Sequence, residues 1–281
     1  MKLDKSTVNI VGSFVVIVVL ALSIQACTIE RKTAVAFTKK ANVTSLIVLQ
    51  PDQLFKINQK LYMLDSLGPV DKDREAEVLL ENSLFLKDLN DSRFIDNYML
   101  GYKNELARFG FHVYDALTMD QLPAKDSNVI QVSVAQIELE ETLYPFRDET
   151  QIYGQNYFHD HQLNAVFVNS WFDITPLNNK SSIYFATDML VDQVESTFDY
   201  DVFSDQVRYM YNLEPMSTDM LYQFAYDLGR VYAGYTFDYL LNTELDRVLL
   251  PEERTDRYWR YDPFSQTFFL AGEDRFISLE E

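Results

Sequence analysis

The sequence predicts an α/β (two-layer α+β) protein. A mixed sheet is packed by an amphipathic helix and a long C-terminal helix, with a small β-meander at the end. Three observations carry that class. In SLIVLQP, Leu46 to Leu49 is an unbroken apolar run ended by Pro51, the pattern of a strand buried on both faces in a sheet covered by helices. Further on, Ile95, Tyr98, Met99, Tyr102 and Leu106 recur at three- and four-residue spacing, so one face of a helix is buried. A long helix then fits from about Thr218 to Leu245. Along it Ala225, Gly229 and Ala233 form a row of small side chains that permits close packing.

The N-terminal segment sets the domain boundaries. Lys2 and Lys5 precede a nearly continuous apolar stretch from Val8 to Ile24, followed by small residues, as in a secretory signal peptide. Asn9, Gly12 and Ser13 interrupt the first half, leaving less than the roughly 20 apolar residues of a membrane span. Ile24-Gln25-Ala26-Cys27 resembles the lipobox of bacterial lipoproteins: an aliphatic residue, a tolerant position, a small residue, then the modified cysteine. The resemblance implies cleavage before Cys27, a single diacylated group on its sulfur and one acyl chain on its nitrogen. More than one chain gives stable anchoring. Thr28 in place of an aspartate implies, by analogy with the sorting rule of enteric bacteria, an outer-membrane lipoprotein, periplasmic or surface-facing. The competing reading is a secreted protein with a stray cysteine near its new N-terminus. The expected organisation is a leader over 1–26, a lipidated tether over 27–42 and one globular domain over 43–281. Within that domain, 43–140 is a strand-helix-strand core and 141–281 holds strands, the long helix and the meander.

Cys27 is the only cysteine, so no internal disulfide forms and the domain must hold itself together by its core. The net charge of -19, from 43 acidic against 24 basic residues, argues against nucleic acid as a partner and against tight contact with anionic lipid.

Taken in order, TIERKTAVAFTKKAN (28–42) reads as a mixed, partly basic tether running into the first strand. Leu54, Ile57 and Leu61 have helical spacing, and DKDREAE (71–77) reads as a solvated helix face or loop. Asp91-Ser92 can cap the helix FIDNYMLGYKNELARF, with Gly110 at its C′ position. FHVY (111–114) is a short strand. NVIQVSVAQIELEETL is a long one whose apolar alternation changes phase near Ala135, from Ile130, Val132 and Val134 to Ile137 and Leu139, which predicts a bulge. Residues 144–162 read as a polar, aromatic-rich connection containing Pro145 and Gly154. Strands follow at 163–174 and 182–194, joined through PLNNKS, whose Pro and Asn suit a hairpin turn. After the long helix, RYWRYDPFSQTFFLAGEDRFISL reads as the meander, with turns at Asp262-Pro263 and Gly272-Glu273.

Over residues 43–140 the order LIVLQP, then NELARFGFHVYDALTMDQL, then VIQVSVAQI resembles small α/β lipoproteins related to the TolB N-terminal domain, the CsgG-type proteins and LpoB. The resemblance lies in hydrophobic pattern and carries no catalytic residue. It implies a non-enzymatic adaptor, activator or secretion component of an envelope machine, with a protein partner in the envelope.

No catalytic residue and no cofactor is expected. G-x-S-x-G, Walker and G-x-G-x-x-G motifs are absent from the sequence. His159 and His161 sit at i and i+2, on one face of a strand, but a third metal ligand is missing, which leaves them as weak candidates only. Asp199, Asp201 and Asp205 lack the glycine and twelfth-position glutamate of a calcium loop. Glu138, Glu140, Glu141 and Asp148 are too many carboxylates for any one pair to point to sugar hydrolysis. Tyr144, Phe146, Tyr153, Tyr157 and Phe158 crowd one segment and are the candidate partner contacts, because tyrosine and other aromatics bury large area at low entropy cost. In the C-terminal meander, Phe268 and Phe269 are expected to fill core. Three functions follow: a lipid-anchored accessory subunit, a glycan-binding surface lipoprotein, or a metal- or carboxylate-dependent hydrolase. The first leads.

Overall fold

The computed structural model describes residues 29–123, 128–176, 182–255, 257–272 and 274–279. Its frame is a seven-stranded mixed sheet built on one long strand, β4 (Val129–Ile152). Two short segments, β1 (Ser45–Leu49) and β2 (Leu54–Asn58), lie end to end along the same edge of β4, both parallel to it. β3 (His112–Tyr114) pairs parallel to β1. Across β4 lie β5 (Gln155–Pro176), β6 (Ser182–Val191) and the short β11 (Ile277–Ser278), each antiparallel to its neighbour. The expected α/β class is what forms.

The β1–β2 break at Pro51 matches the phase change in β4. Proline has no N–H to give the ladder, and β4 shifts register between Val134 and Gln136, where a bulge was expected. Helical spacing misleads at Leu54, Ile57 and Leu61. Leu54 and Ile57 belong to strand β2, which pairs with Ile137 to Glu141, so the open edge of β4 overrides the local pattern.

Five α-helices are described: α1 (29–41), α2 (Tyr62–Leu67), α3 (Glu75–Glu81), α4 (Asp91–Arg108) and α5 (Thr218–Val248). The tether expected up to residue 42 is therefore corrected. Residues 29–41 are helical, and Ala34, Phe37 and Ala41 are buried in the core, Phe37 with its ring 5.4 Å from that of Phe237. Two of those three anchors are alanines, too small to stand out as a stripe. The acidic stretch 71–77 runs into the largely solvated α3, as expected.

At α4 the cap is Asn90, whose side chain accepts from Arg93 N at 2.9 Å, rather than Asp91-Ser92. Gly110 stands at C′ with φ of 100°, as the sequence predicts. All five residues of the apolar stripe are buried, with Tyr98 OH donating to Ser170 Oγ on β5 at 3.1 Å. Helices α4 and α5 cross at two glycines. A Cβ on Gly229 would lie 2.0 Å from the Tyr98 carbonyl oxygen, and one on Gly101 would lie 2.1 Å from that of Tyr226.

Helices α4 and α5 cover one sheet face, and α1 packs on α5. The far face is open, as two layers predict, with Glu138, Asn169 and Trp171 half-buried and Thr187 exposed; β1 is accordingly less buried than its apolar run predicts, Ile47 and Leu49 being only half-buried. The C-terminal meander is also revised. Strands β9 (Tyr258–Asp262) and β10 (Thr267–Ala271) form a separate hairpin, while β11 leaves it to pair with β6. Phe268 packs on Trp259 and Tyr261, but Phe269 faces outward, 44% exposed, because alternate strand residues take opposite faces.

That hairpin closes over Asp238 of α5, which is 3% exposed and accepts from Tyr261 N at 2.9 Å. Burial pushes its carboxyl up to about 7, against the partial compensation of that backbone N–H. The folded protein keeps the proton in a range where the unfolded chain has released it. Stability therefore falls as pH rises from about 4 to about 7 at this site. Denaturant titrations at both ends of that window check this: wild type should lose stability relative to Asp238→Asn on going up. Parallel behaviour would mean that the buried carboxyl is already ionised at the lower pH.

Candidate functional site

Residues 144–162 are not a connection. Strands β4 and β5 continue their antiparallel pairing without a break from Tyr144↔Leu163 to Ile152↔Gln155. They close through Tyr153 and Gly154, both at positive φ (49° and 80°), as a two-residue hairpin turn requires. A second hairpin, β7 (Gln193–Asp201) with β8 (Gln206–Glu214), forms its own sheet. Its turn is pinned by the Asp201 carboxylate, which accepts from Phe203 N at 2.9 Å and Ser204 Oγ at 2.8 Å.

The two hairpins stack face to face into an arm. Its interior is aromatic and polar. His159 stacks on Tyr209 with centroids 4.3 Å apart, Phe198 packs on Tyr209 at 4.7 Å, and Tyr153 meets Tyr200 at 5.0 Å. Tyr209 OH donates to Asp148 Oδ2 at 3.1 Å and lies 2.6 Å from His161 Nε2. A chain in which His161 donates to Tyr209 and Tyr209 to Asp148 satisfies all three groups. Ser196 Oγ also donates to Asp148. On the outer face Arg147 pairs with Asp160 through two hydrogen bonds, 2.6 and 2.9 Å, and covers the Phe158 ring at 4.5 Å.

The arm is fixed to the body by a buried polar network. Lys60 Nζ donates to Glu141 Oε1 and to Asn164 Oδ1, each at 2.8 Å. Asn164 Nδ2 donates to Asp192 Oδ2 at 2.8 Å, and Asp192 Oδ1 accepts from Met216 N at 2.9 Å. These residues stand where β4 and β5 leave the body, where β7 begins and where the chain returns to α5. Both hairpins therefore share one rooted base.

The candidate residues divide between the two sides of the arm. Tyr144, Phe146 and Tyr157 are half-buried, and the Phe146 ring stacks on His161, its cross-strand partner within the β4–β5 hairpin. Tyr153 at the tip and Phe158 on the outer face remain 82% and 60% exposed. His159 and His161 do share a face, with ring centroids 4.7 Å apart, but their neighbours are tyrosines. Among the described residues no three His, Cys, Asp or Glu side chains are placed to hold a metal. Ile24, Gln25, Ala26 and Cys27 lie outside the described residues.

Sequence reasoning missed the second hairpin and its tip, where Val202 is 71% and Phe203 fully exposed. The signal was present. Val207, Tyr209, Tyr211 and Leu213 alternate with Arg208, Met210 and Asn212, a period-two pattern overshadowed by the acidic residues before it.

Elsewhere, a groove of about 790 Å³ opens beside the ends of β1 and β3. Its lysine is already engaged: Lys103 Nζ donates to Asp115 at 2.9 Å, which with Thr118 holds that carboxyl down at about 2. No described helix is long and apolar enough to cross a membrane. No family model matches the chain, and no curated protein matches it either.

Proposed function

We propose that this protein is a lipid-anchored, non-catalytic accessory subunit of an outer-membrane assembly or transport complex. Cys27 is its anchor and the two-hairpin arm its grip on a protein partner. One observation carries the reading: the arm ends in Tyr153, Val202 and Phe203, aromatic and apolar groups held out in water on two hairpin turns, the second pinned by Asp201. Adjoining exposed apolar side chains mark contact sites more often than they serve the monomer. Val202 is 71% and Phe203 fully exposed, so neither of these two tip side chains is needed to hold the hairpins together. A rigid strand pair presenting a few aromatic anchors loses little entropy on binding.

A photo-crosslinking residue at position 203, in protein extracted from native membranes, should trap one partner in stoichiometric yield. Val202→Ser/Phe203→Ser should weaken that complex by about thirtyfold, the size of a lost hot spot of about 2 kcal/mol. The melting temperature should stay unchanged. Cys27→Ala should abolish capture from membranes. Wild type recovered alone, or a partner held equally well by the tip variant, would remove the arm from the interaction.

A further inference from the structure

The net charge of -19 conceals a polar molecule. Helix α1 exposes Arg31, Lys32 and Lys39. Its one acid, Glu30, is turned inward, where it accepts from Trp259 Nε1 at 3.1 Å and Thr255 Oγ1 at 3.0 Å. The β7–β8 hairpin is the reverse, with Glu195, Asp199, Asp201, Asp205 and Glu214 against Arg208.

The two charged regions lie at opposite ends. Helix α1 packs on the C-terminal third of α5, through Phe37 on Phe237 and through Lys40 Nζ, 2.8 Å from Glu244 Oε1. The arm is rooted at Met216, just before α5 begins. Along β5, Ser170 and Phe172 lie beside Tyr98 and Tyr232, while Asn164 has reached Asp192 at that root. Residues before Asn164 therefore carry the arm past the N-terminal end of α5. From Ser217 to Leu240 the helix runs about 35 Å, and Tyr144 to Ile152 adds about 27 Å.

We infer that the outer face of α1, Arg31, Lys32 and Lys39 flanked by the exposed Ile29 and Val35, rests on the anionic headgroups of the membrane that holds Cys27, so that the arm points away from it. This rests on the lipid-anchor reading. Ile29 is two residues after Cys27. Extended chain covers at most about 3.6 Å per residue, which keeps the start of α1 within about a Debye length of the bilayer at physiological salt. Basic side chains at that depth are attracted to acidic lipid. The acidic arm is repelled by the same surface, so both ends favour one orientation.

The test uses the protein purified with its own acyl chains, in vesicles of phosphatidylcholine with or without phosphatidylglycerol. Ala36→Cys on α1 and Phe203→Cys at the tip each carry a fluorophore, and the vesicles carry a headgroup quencher. The α1 label should be quenched at least about threefold more on anionic than on neutral vesicles, and raised salt should remove the difference. The tip label should stay unquenched on both. Arg31→Glu/Lys32→Glu/Lys39→Glu should cancel the α1 effect. Equal α1 quenching on both vesicles, or a quenched tip, overturns the orientation while leaving the anchor intact. The intact mass of the protein decides the anchor separately, because a chain without acyl groups refutes that reading whatever the labels report.

Discussion

Lys60→Met should lower stability by about 3–5 kcal/mol, the cost of stranding a buried charge by removing its partner. Lys60 and Glu141 both have fully buried side chains, and the ammonium is shared between Glu141 and Asn164. Glu141 also accepts from Leu84 N at 2.9 Å and Phe85 N at 3.0 Å. Without Lys60 those two dipoles alone must hold an ionised carboxylate away from water. At about 2–4 °C per kcal/mol for a chain of this size, the melting temperature should fall by roughly 10 °C.

Lys60→Met/Glu141→Gln should be more stable than Lys60→Met alone. The double variant buries no charge, and the amide oxygen still accepts a backbone N–H. The pair also sits at the root of the arm, so the single variant should speed amide exchange in β7 and β8 more than in α4. A loss below about 1 kcal/mol would mean that water reaches the pair and that the arm is not rooted through it.

How much of this was readable beforehand depends on the range of each interaction. The phase change at Ala135, the stripe from Ile95 to Leu106, Gly110 as a C′ residue and the small-residue row in α5 are local patterns, and each appears in the structure where the sequence predicts it. Pairing of 144–152 with 155–163 was hidden because the inner face of that hairpin is tyrosine, phenylalanine, histidine and aspartate rather than aliphatic. It is covered by a second hairpin about fifty residues further on, so neither segment shows its buried side alone. The Lys60–Glu141 pair joins residues 81 apart, and nothing near either residue announces burial. Helix α1 reads as a tether in the sequence because its core contacts are two alanines and one phenylalanine among lysines. For the candidate contacts, type and location were legible, but which aromatics face the second hairpin and which face water was decided by strand alternation in a hairpin not foreseen.

Gly229→Ala should destabilise the protein by about 3 kcal/mol, the upper part of the usual range for overpacking. By propensity alone the sign would be opposite, since alanine in a helix interior is worth about 1 kcal/mol over glycine. Contact decides otherwise. The new Cβ would sit 2.0 Å from the Tyr98 carbonyl oxygen and 2.8 Å from Tyr102 N, both main-chain atoms of α4, which no rotamer change can move aside. Relief requires α5 to shift away from α4 by more than an ångström, opening the packing of Tyr98, Tyr102 and Tyr232, among the largest fully buried side chains. Gly101→Ala meets the Tyr226 carbonyl oxygen at 2.1 Å and should behave alike. Gly234, five residues further along α5, is the internal control: its nearest atom to a new Cβ would be Phe109 Cζ at 4.0 Å, so Gly234→Ala should gain about 0.5–1 kcal/mol. Denaturation of the three alanine variants separates backbone approach from propensity. If all three shift stability in the same direction, the two helices do not cross at their glycines.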